Sequence, residues 1–333
     1  MKWYSLTDAP LQIYGLAVKE GMDFFRLPYD VIDTISPGVS GLARNSAGGR
    51  VRFRTDAAQI HLRWMVGNLP FAADHMGCMA KSGVDCYVDG IYRGSRAANY
   101  NVQPFTCMVP KQKMMQDVDL YLPTYNRLIM LEIGVDENAC VEAPRPYAIE
   151  KPIVFYGSSI TQGASASRPG VNYVARAARA LNADFINLGF AGNARGEANM
   201  AEYIASLDMS LFVLDYDHNA PSVEHLQETH YPFYEIIRKA QPDLPILMMS
   251  KPDFDGRYTE VAFEENTKRR AVIMETLRRA QENGDQNIRF IDGETFFGDS
   301  DRDNCTVDGC HPTDLGFFRM AEKVIPVLKE MLK

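Results

Sequence analysis

The sequence lacks the features that mark several protein classes. It has only six cysteines in 333 residues, with no Cys-x-x-Cys pair and no Cys/His spacing of the zinc kind. A disulfide framework and a zinc module are therefore excluded as organising principles. Free thiols in a reducing compartment are the reading, with a Cys305–Cys310 pair left open in an oxidising setting. No apolar run approaches the ~20 residues that span a bilayer; stretches such as Leu128-Ile129-Met130-Leu131 are strand-sized, and no membrane partner is expected. The start, Met1-Lys2-Trp3-Tyr4-Ser5, carries no extended apolar leader, which points to the cytoplasm and leaves a secreted mature form open. An excess of basic charge is also missing. The net charge of -8 argues against nucleic acid as the main partner, since phosphate binding needs a basic face.

What is present falls into two halves with different rhythms. Up to about residue 147 the chain reads as strands between turns: Val51–Thr55, Ala58–Met65, Val84–Val88, Val118–Leu122 and Arg127–Gly134. Apolar and polar residues alternate in several of them, as in half-buried antiparallel strands, and no long helix interrupts. An all-β, jelly-roll-like sandwich over residues 1–147 is the expectation.

After Pro144-Arg145-Pro146 short apolar strands alternate with helical stretches. The strands are Ile153–Tyr156, Phe185–Leu188, Leu211–Leu214, Ile246–Met249 and Ile288–Ile291. The helices are Pro169–Leu181, Ala198–Ser206, Ser222–Ala240, Phe263–Asn283 and Leu315–Leu332. That alternation predicts a doubly wound, parallel five-stranded α/β sheet over residues 148–333. Ligands of such sheets bind beyond the carboxyl ends of the strands, where the polar signals collect: Gly157-Ser158-Ser159, Gly189 to Asn193, Asp215 to Asn219, Ser250 to Asp253, and Asp308-Gly309-Cys310-His311 before the last helix.

Two of these segments carry chemistry. Gly157-Ser158-Ser159-Ile160-Thr161-Gln162-Gly163 places a serine on a tight turn between a buried strand and a helix, with backbone N–H groups nearby. Serine attacks a carbonyl only when a base takes its proton. In Asp308-Gly309-Cys310-His311-Pro312 the spacing of three puts a carboxylate and an imidazole on one turn. The carboxylate can hold one ring nitrogen and leave the other as the base.

GSSITQG resembles the first block of the SGNH/GDSL hydrolases, usually Gly-Asp-Ser, and DGCHP resembles their last, Asp-x-x-His. The resemblance implies a flavodoxin-like catalytic half in which Ser159 is the nucleophile, His311 the base and Asp308 its orienter. Ser158 stands where the usual Asp would be, a substitution associated with carbohydrate esterases. The oxyanion hole is implied to comprise the N–H groups of Ser159 and Gly192 and the side-chain amide of Asn219. Gly189 is a rival for Gly192, and Asn193 for Asn219. Asp215-Tyr216-Asp217-His218-Asn219 departs from the usual third block, Gly-x-Asn-Asp. Ser158, Gly189, Asn193, Arg168, Arg195 and His218 are candidate substrate contacts, with His218 also a rival base. Neither metal nor organic cofactor is implied. Arg44–Asp56, Ser82–Asp85 and Tyr87–Asp89 are similar to the β-sandwich modules that precede some SGNH carbohydrate esterases. The expected activity is hydrolysis of short acyl, chiefly acetyl, esters of a small molecule or oligosaccharide. A lipid or thioester hydrolase, or a carbohydrate-binding protein with a silent hydrolase half, are the alternatives. Oligomeric state is not legible.

Overall fold

A computed structural model describes residues 1–67, 73–97, 104–252 and 259–333; Asp253, the last residue of one polar strand-end segment, lies outside them. The strands are β1 (Lys2–Ser5), β2 (Gln12–Tyr14), β3 (Arg50–Thr55), β4 (Gln59–Val66), β5 (Val84–Val88), β6 (Ile91–Arg96), β7 (Phe105–Pro110), β8 (Gln116–Tyr121), β9 (Leu128–Val135), β10 (Val141–Glu142), β11 (Ile149–Gly157), β12 (Ala183–Gly189), β13 (Leu211–Asp215), β14 (Ile246–Met249) and β15 (Ile288–Ile291). The helices are α1 (Tyr29–Ile32), α2 (Pro37–Ala43), α3 (Cys78–Ser82), α4 (Ser159–Gln162), α5 (Tyr173–Leu181), α6 (Ala198–Ala205), α7 (Val223–Ala240), α8 (Glu260–Glu282) and α9 (Asp314–Met331). No helix among the described residues is long and apolar enough to cross a membrane.

The C-terminal half is the expected parallel sheet, in the order β12-β11-β13-β14-β15. Successive side chains of a strand point to opposite faces, and here both faces are apolar. Val154, Tyr156, Phe212, Leu214, Ile246 and Met248 join the core under α6, α7 and α8. Ile153, Phe155, Leu211, Val213, Leu247 and Met249 join the core under α5 and α9. Strands buried on both sides read as continuous apolar runs rather than as alternation, which is why these five are conspicuous in the sequence. The order reverses at β11, whose neighbours are β12 on one side and β13 on the other, so the crevice of the fold opens beyond Gly157.

Helix boundaries differ from expectation where caps intervene. Pro169–Val171 is a 3₁₀ turn, and α5 begins only after Asn172, whose side chain accepts the Ala175 N–H. Thr259 caps α8 in the same way, accepting from Ala262, so that helix begins before Phe263. Both follow from the preference for a short oxygen-bearing side chain at the N-cap.

The N-terminal half is two antiparallel sheets, β1-β9-β4-β7 and β10-β3-β8-β5-β6 with β2 added on β3. They share one core, in which Tyr4, Leu62, Trp64 and Ile133 of the first meet Val51, Phe53, Val118 and Leu120 of the second. Strands β1, β2, β6, β7 and β10 go beyond the sequence reading. β6 has an exposed pattern with Ile91 and Tyr92 in solvent, so its alternation carries no core signal. None of the six cysteines is in a disulfide. Cys305 is buried, with Arg319 Nη1 donating to its sulfur at 3.4 Å, and is not bridged to Cys310.

Arg26 joins the halves. It is fully buried and has no carboxylate partner among the described residues. Its guanidinium donates instead to backbone carbonyls of Leu42 (2.7 Å), Asn45 (3.2 Å), Asn187 (3.2 Å) and Gly189, and lies over the Phe190 ring. Burial pushes its pKa down to about 9, so it is still a cation at neutral pH. The planar fork can serve several carbonyls at once, which an ammonium cannot. We expect Arg26→Ala to strand these acceptors and cost at least about 3 kcal/mol, each unpaired buried group being worth ~1–3 kcal/mol. Arg26→Lys should recover only part of it. Urea unfolding of the three proteins checks this, and equal midpoints would refute the tie.

Candidate active site

The serine turn begins where β11 ends. A side chain at Gly157 would lie 2.2 Å from Thr161 Oγ1 and 2.4 Å from the Asp215 carbonyl, so only glycine lets the chain turn there. Ser158 follows in extended backbone, and its hydroxyl accepts the Ile160 N–H at 3.1 Å. This is an N-cap, and it makes Ser159 the first residue of α4. Beneath it, the buried Asp215 carboxyl accepts from Thr161 Oγ1 and Tyr173 Oη, both at 2.9 Å. Ser158 is fully buried with its hydroxyl committed. The expectation of a substrate contact there gives way to a capping role. Ser159 keeps 9% exposure.

The histidine turn places an imidazole against that serine. Asp308 Oδ1 accepts the N–H groups of Cys310 (3.0 Å) and His311 (2.7 Å), while Oδ2 faces His311 Nδ1 at 2.7 Å. Burial opposes ionisation of Asp308, but the hydrogen bonds from the His311 ring and from these two N–H groups outweigh it and hold the carboxyl below its usual range. With its Nδ1 proton given to Asp308, His311 presents the Nε2 lone pair to Ser159 Oγ, 2.9 Å away. Serine, histidine and aspartate thus lie in hydrogen-bonded sequence, the geometry for proton removal from an attacking hydroxyl.

Two backbone N–H groups of these loops are left open. The N–H groups of Ser159 and Gly192 have no partner among the described residues. Gly192 has φ +66° with open space around its α-carbon. Gly189 is different: its N–H goes to Asn187 Oδ1 at 2.9 Å, and its α-carbon packs on the Gln162 backbone. Its candidacy as an oxyanion donor or substrate contact fails on both counts. Asn193 spends an amide hydrogen on the Ala191 carbonyl at 2.6 Å. Asn219 spends one on the Phe190 carbonyl at 3.0 Å and retains a second.

The remaining candidates separate. Arg168 donates to Asp85 Oδ2 (2.9 Å) and Tyr87 Oη (2.7 Å) and covers the Tyr92 ring, a structural clasp in place of the expected substrate contact. Asp85 also accepts the Gly170 N–H at 2.8 Å, so β5 grips the turn before α5. Arg195 is exposed and braces the Gly192 carbonyl at 3.3 Å. His218 is half-buried beside Asp217, Nδ1 to Oδ1 at 3.3 Å, with Nε2 shielded from solvent and without a partner among the described residues. Burial lowers its pKa against the pull of Asp217, so it is neutral at neutral pH.

Three positions go beyond the sequence reading, all across the boundary between the halves. Gln162 donates from Nε2 to the Thr124 carbonyl (3.0 Å) and accepts the Ala191 N–H at Oε1 (3.1 Å). Tyr125 Oη donates to the Ser159 carbonyl at 3.2 Å. His75 lies against His311, ring centroids 4.3 Å apart. Only the turn signal at Pro123 to Asn126 hints at any of these in the sequence.

Comparison with known proteins bears on the family and the fold. Residues 150–329 match the GDSL-like Lipase/Acylhydrolase family, and residues 1–141 match GxDLY, the N-terminus of SGNH-hydrolase-type esterases. The chain has Gly83-Val84-Asp85-Cys86-Tyr87, which contains the clasp residues Asp85 and Tyr87. A crystal structure described as a GDSL-like lipase from Bacteroides ovatus superposes with TM-score 0.88 at 33% identity, covering 99% of this chain and 98% of that one. The salicylyl-acyltransferase SsfX3 from a tetracycline biosynthetic pathway shares the fold at TM-score 0.82 and 22% identity, covering 99% of this chain and 97% of that one. An acetyl xylan esterase from the rumen bacterium Butyrivibrio proteoclasticus does so at TM-score 0.62 and 13% identity, covering 100% and 99%. No curated protein matches the chain. By family match and by full-length likeness, the chain belongs to the GDSL-like lipase/acylhydrolase family of ester hydrolases.

Proposed function

We propose that the protein is a serine esterase that removes short acyl groups, chiefly acetyl, from carbohydrate esters through an acyl-enzyme. The observation that carries the reading is the unbroken line from Ser159 Oγ to His311 Nε2 (2.9 Å) and from His311 Nδ1 to Asp308 Oδ2 (2.7 Å). In this reading Ser159 attacks the ester carbonyl while His311 takes its proton. Negative charge on the carbonyl oxygen is met by the N–H groups of Ser159 and Gly192 and by the spare amide hydrogen of Asn219. His311 then protonates the leaving alcohol, and a water repeats the cycle on the acyl-serine. The sandwich, residues 1–147, is read as an accessory domain that shapes the site. The carbohydrate assignment is supported by the resemblance of Arg44–Asp56 and Ser82–Asp89 to modules of carbohydrate esterases. It also draws on fold neighbours named as an acetyl xylan esterase and as a family two carbohydrate esterase in complex with cellohexaose.

Three outcomes test the reading. Ser159→Ala should lower p-nitrophenyl acetate turnover by roughly 10³-fold or more with unchanged thermal unfolding. Ser158→Ala should instead cost about 1 kcal/mol of stability as a lost cap and leave most of the activity. Wild-type turnover in Ser159→Ala would dismiss the nucleophile.

The second concerns pH. The base must be a neutral imidazole, so turnover falls in acid. Asp308 is held below the usual carboxylate range and stays an anion through that fall, so the acid limb should show one ionisation. Asp308→Asn should reduce kcat, because the amide does not hold the Nδ1–H tautomer as a carboxylate does, and His311→Ala should reduce it further. A retained acid limb and full turnover in His311→Ala would hand the role to His218.

The third concerns the acyl group. Across p-nitrophenyl esters from acetate to palmitate, kcat/KM should be highest at the short end. A steady rise with chain length would favour the lipid or thioester hydrolase instead.

A further inference from the structure

The turn Ala73 to Met76 holds a second imidazole over the catalytic one. Its ends close through a hydrogen bond from Met76 N–H to the Ala73 carbonyl at 3.2 Å. Met76 is buried against Tyr125 and Ala164, with Ala73 and Ala191 packed on the same cluster. The turn is thus seated on the segment that follows Ser159, and His75 is carried to His311 with ring centroids 4.3 Å apart and planes inclined by 41°. One ligand atom each from His75, Asp308 and His311 lie within 4.8 Å of one another. The esterase reading gives His75 no task. Yet its Nδ1 is shielded from solvent and has no hydrogen-bond partner among the described residues. A shielded nitrogen without a partner is a cost that a ligand would relieve.

We propose that His75, Asp308 and His311 form an inhibitory site for a zinc-type divalent cation. Two imidazoles and one carboxylate match Zn²⁺; Mg²⁺ and Ca²⁺ prefer oxygen throughout. Tetrahedral zinc with bonds of ~2.0–2.2 Å sets its ligand atoms about 3.3 Å apart, so the cluster needs only a modest closure of the side chains. Occupancy removes the base whichever ring nitrogen of His311 binds. At Nε2 the cation takes the lone pair that would accept the Ser159 proton. At Nδ1 it takes over the carboxylate and leaves the ring proton on Nε2, where the imidazole then has no lone pair for the Ser159 proton. Three protein ligands leave a fourth position for water. One of these ligands comes from the N-terminal half and two from the catalytic turn, so the site exists only in the whole chain.

The test uses the full chain stripped with EDTA, titrated with ZnCl₂ alone by calorimetry. p-Nitrophenyl acetate hydrolysis is followed over the same range. Wild type, His75→Ala and His75→Gln are compared, with thermal unfolding to show that each is folded. Wild type should bind one Zn²⁺ that both variants bind at least about tenfold more weakly, since losing a ligand costs no less than losing a supporting contact. Inhibition should weaken in parallel, EDTA should restore activity, and MgCl₂ should do neither. Absence of Zn²⁺ binding, or binding and inhibition equal in all three proteins, overturns the proposal. The calorimetric arm reads the site even if the chain hydrolyses no ester tested, so failure of the esterase reading and failure of the cation site are separate results.

Discussion

The buried side chain of Gln162 is the constraint on which the site depends. Its carbonyl end accepts the Ala191 N–H and its amino end donates to the Thr124 carbonyl. One planar amide thus fixes the distance between the serine helix, the loop that carries Gly192 and a turn of the β-sandwich. Preorganised donors stabilise charge only if they need not move when the charge appears. The loop that carries Gly192 is held by Gln162 on one side and by Asn219, which donates to the Phe190 carbonyl, on the other. The phenol of Tyr125 on the Ser159 carbonyl adds a tie from the same turn to the helix itself.

The same logic explains why the N-terminal half sits where it does. Arg26 reaches the carbonyls of Asn187 and Gly189 at the end of β12, and Asp85 with Tyr87 grips Arg168 and Gly170 ahead of α5. Arg50 donates to the Phe185 carbonyl at 3.0 Å and pairs with Asp184 at the other end of β12. These contacts are buried and directional. They hold the ends of elements from which the active-site loops depart, which is where small displacements matter most.

Legibility in the sequence followed the range of the interactions. The serine turn and Asp308-x-x-His311 are local patterns whose chemistry is contained in a few adjacent residues, and their pairing needs only the fold. The five parallel strands were equally plain, because burial on both faces leaves an uninterrupted apolar run. Gly189 and Gly192 were not separable in sequence: the difference is a hydrogen bond from Gly189 to Asn187 that removes one donor. Ser158 and Arg168 looked like substrate contacts because the sequence does not show that one caps a helix and the other is clasped by β5. Gln162, Tyr125 and His75 act across long separations in the chain, where no local spacing signals them. The edge strand β6 is hidden for another reason: its pattern is mostly exposed, so arginines and apolar residues share the solvent side.

The change of rhythm near Pro146 invites the view that the molecule is two modules in series. Arg26 argues against treating that point as a place to cut. Severed there, the C-terminal piece would carry the carbonyls of Asn187 and Gly189 without their guanidinium donor, next to the loop that bears Gly192. The N-terminal piece would keep a cation with neither a carboxylate nor those carbonyls to answer it. Each fragment would thus expose a polar defect that only the other can mend. The two halves are accordingly expected to melt together, and neither could be exchanged for an unrelated partner without rebuilding the shared seam.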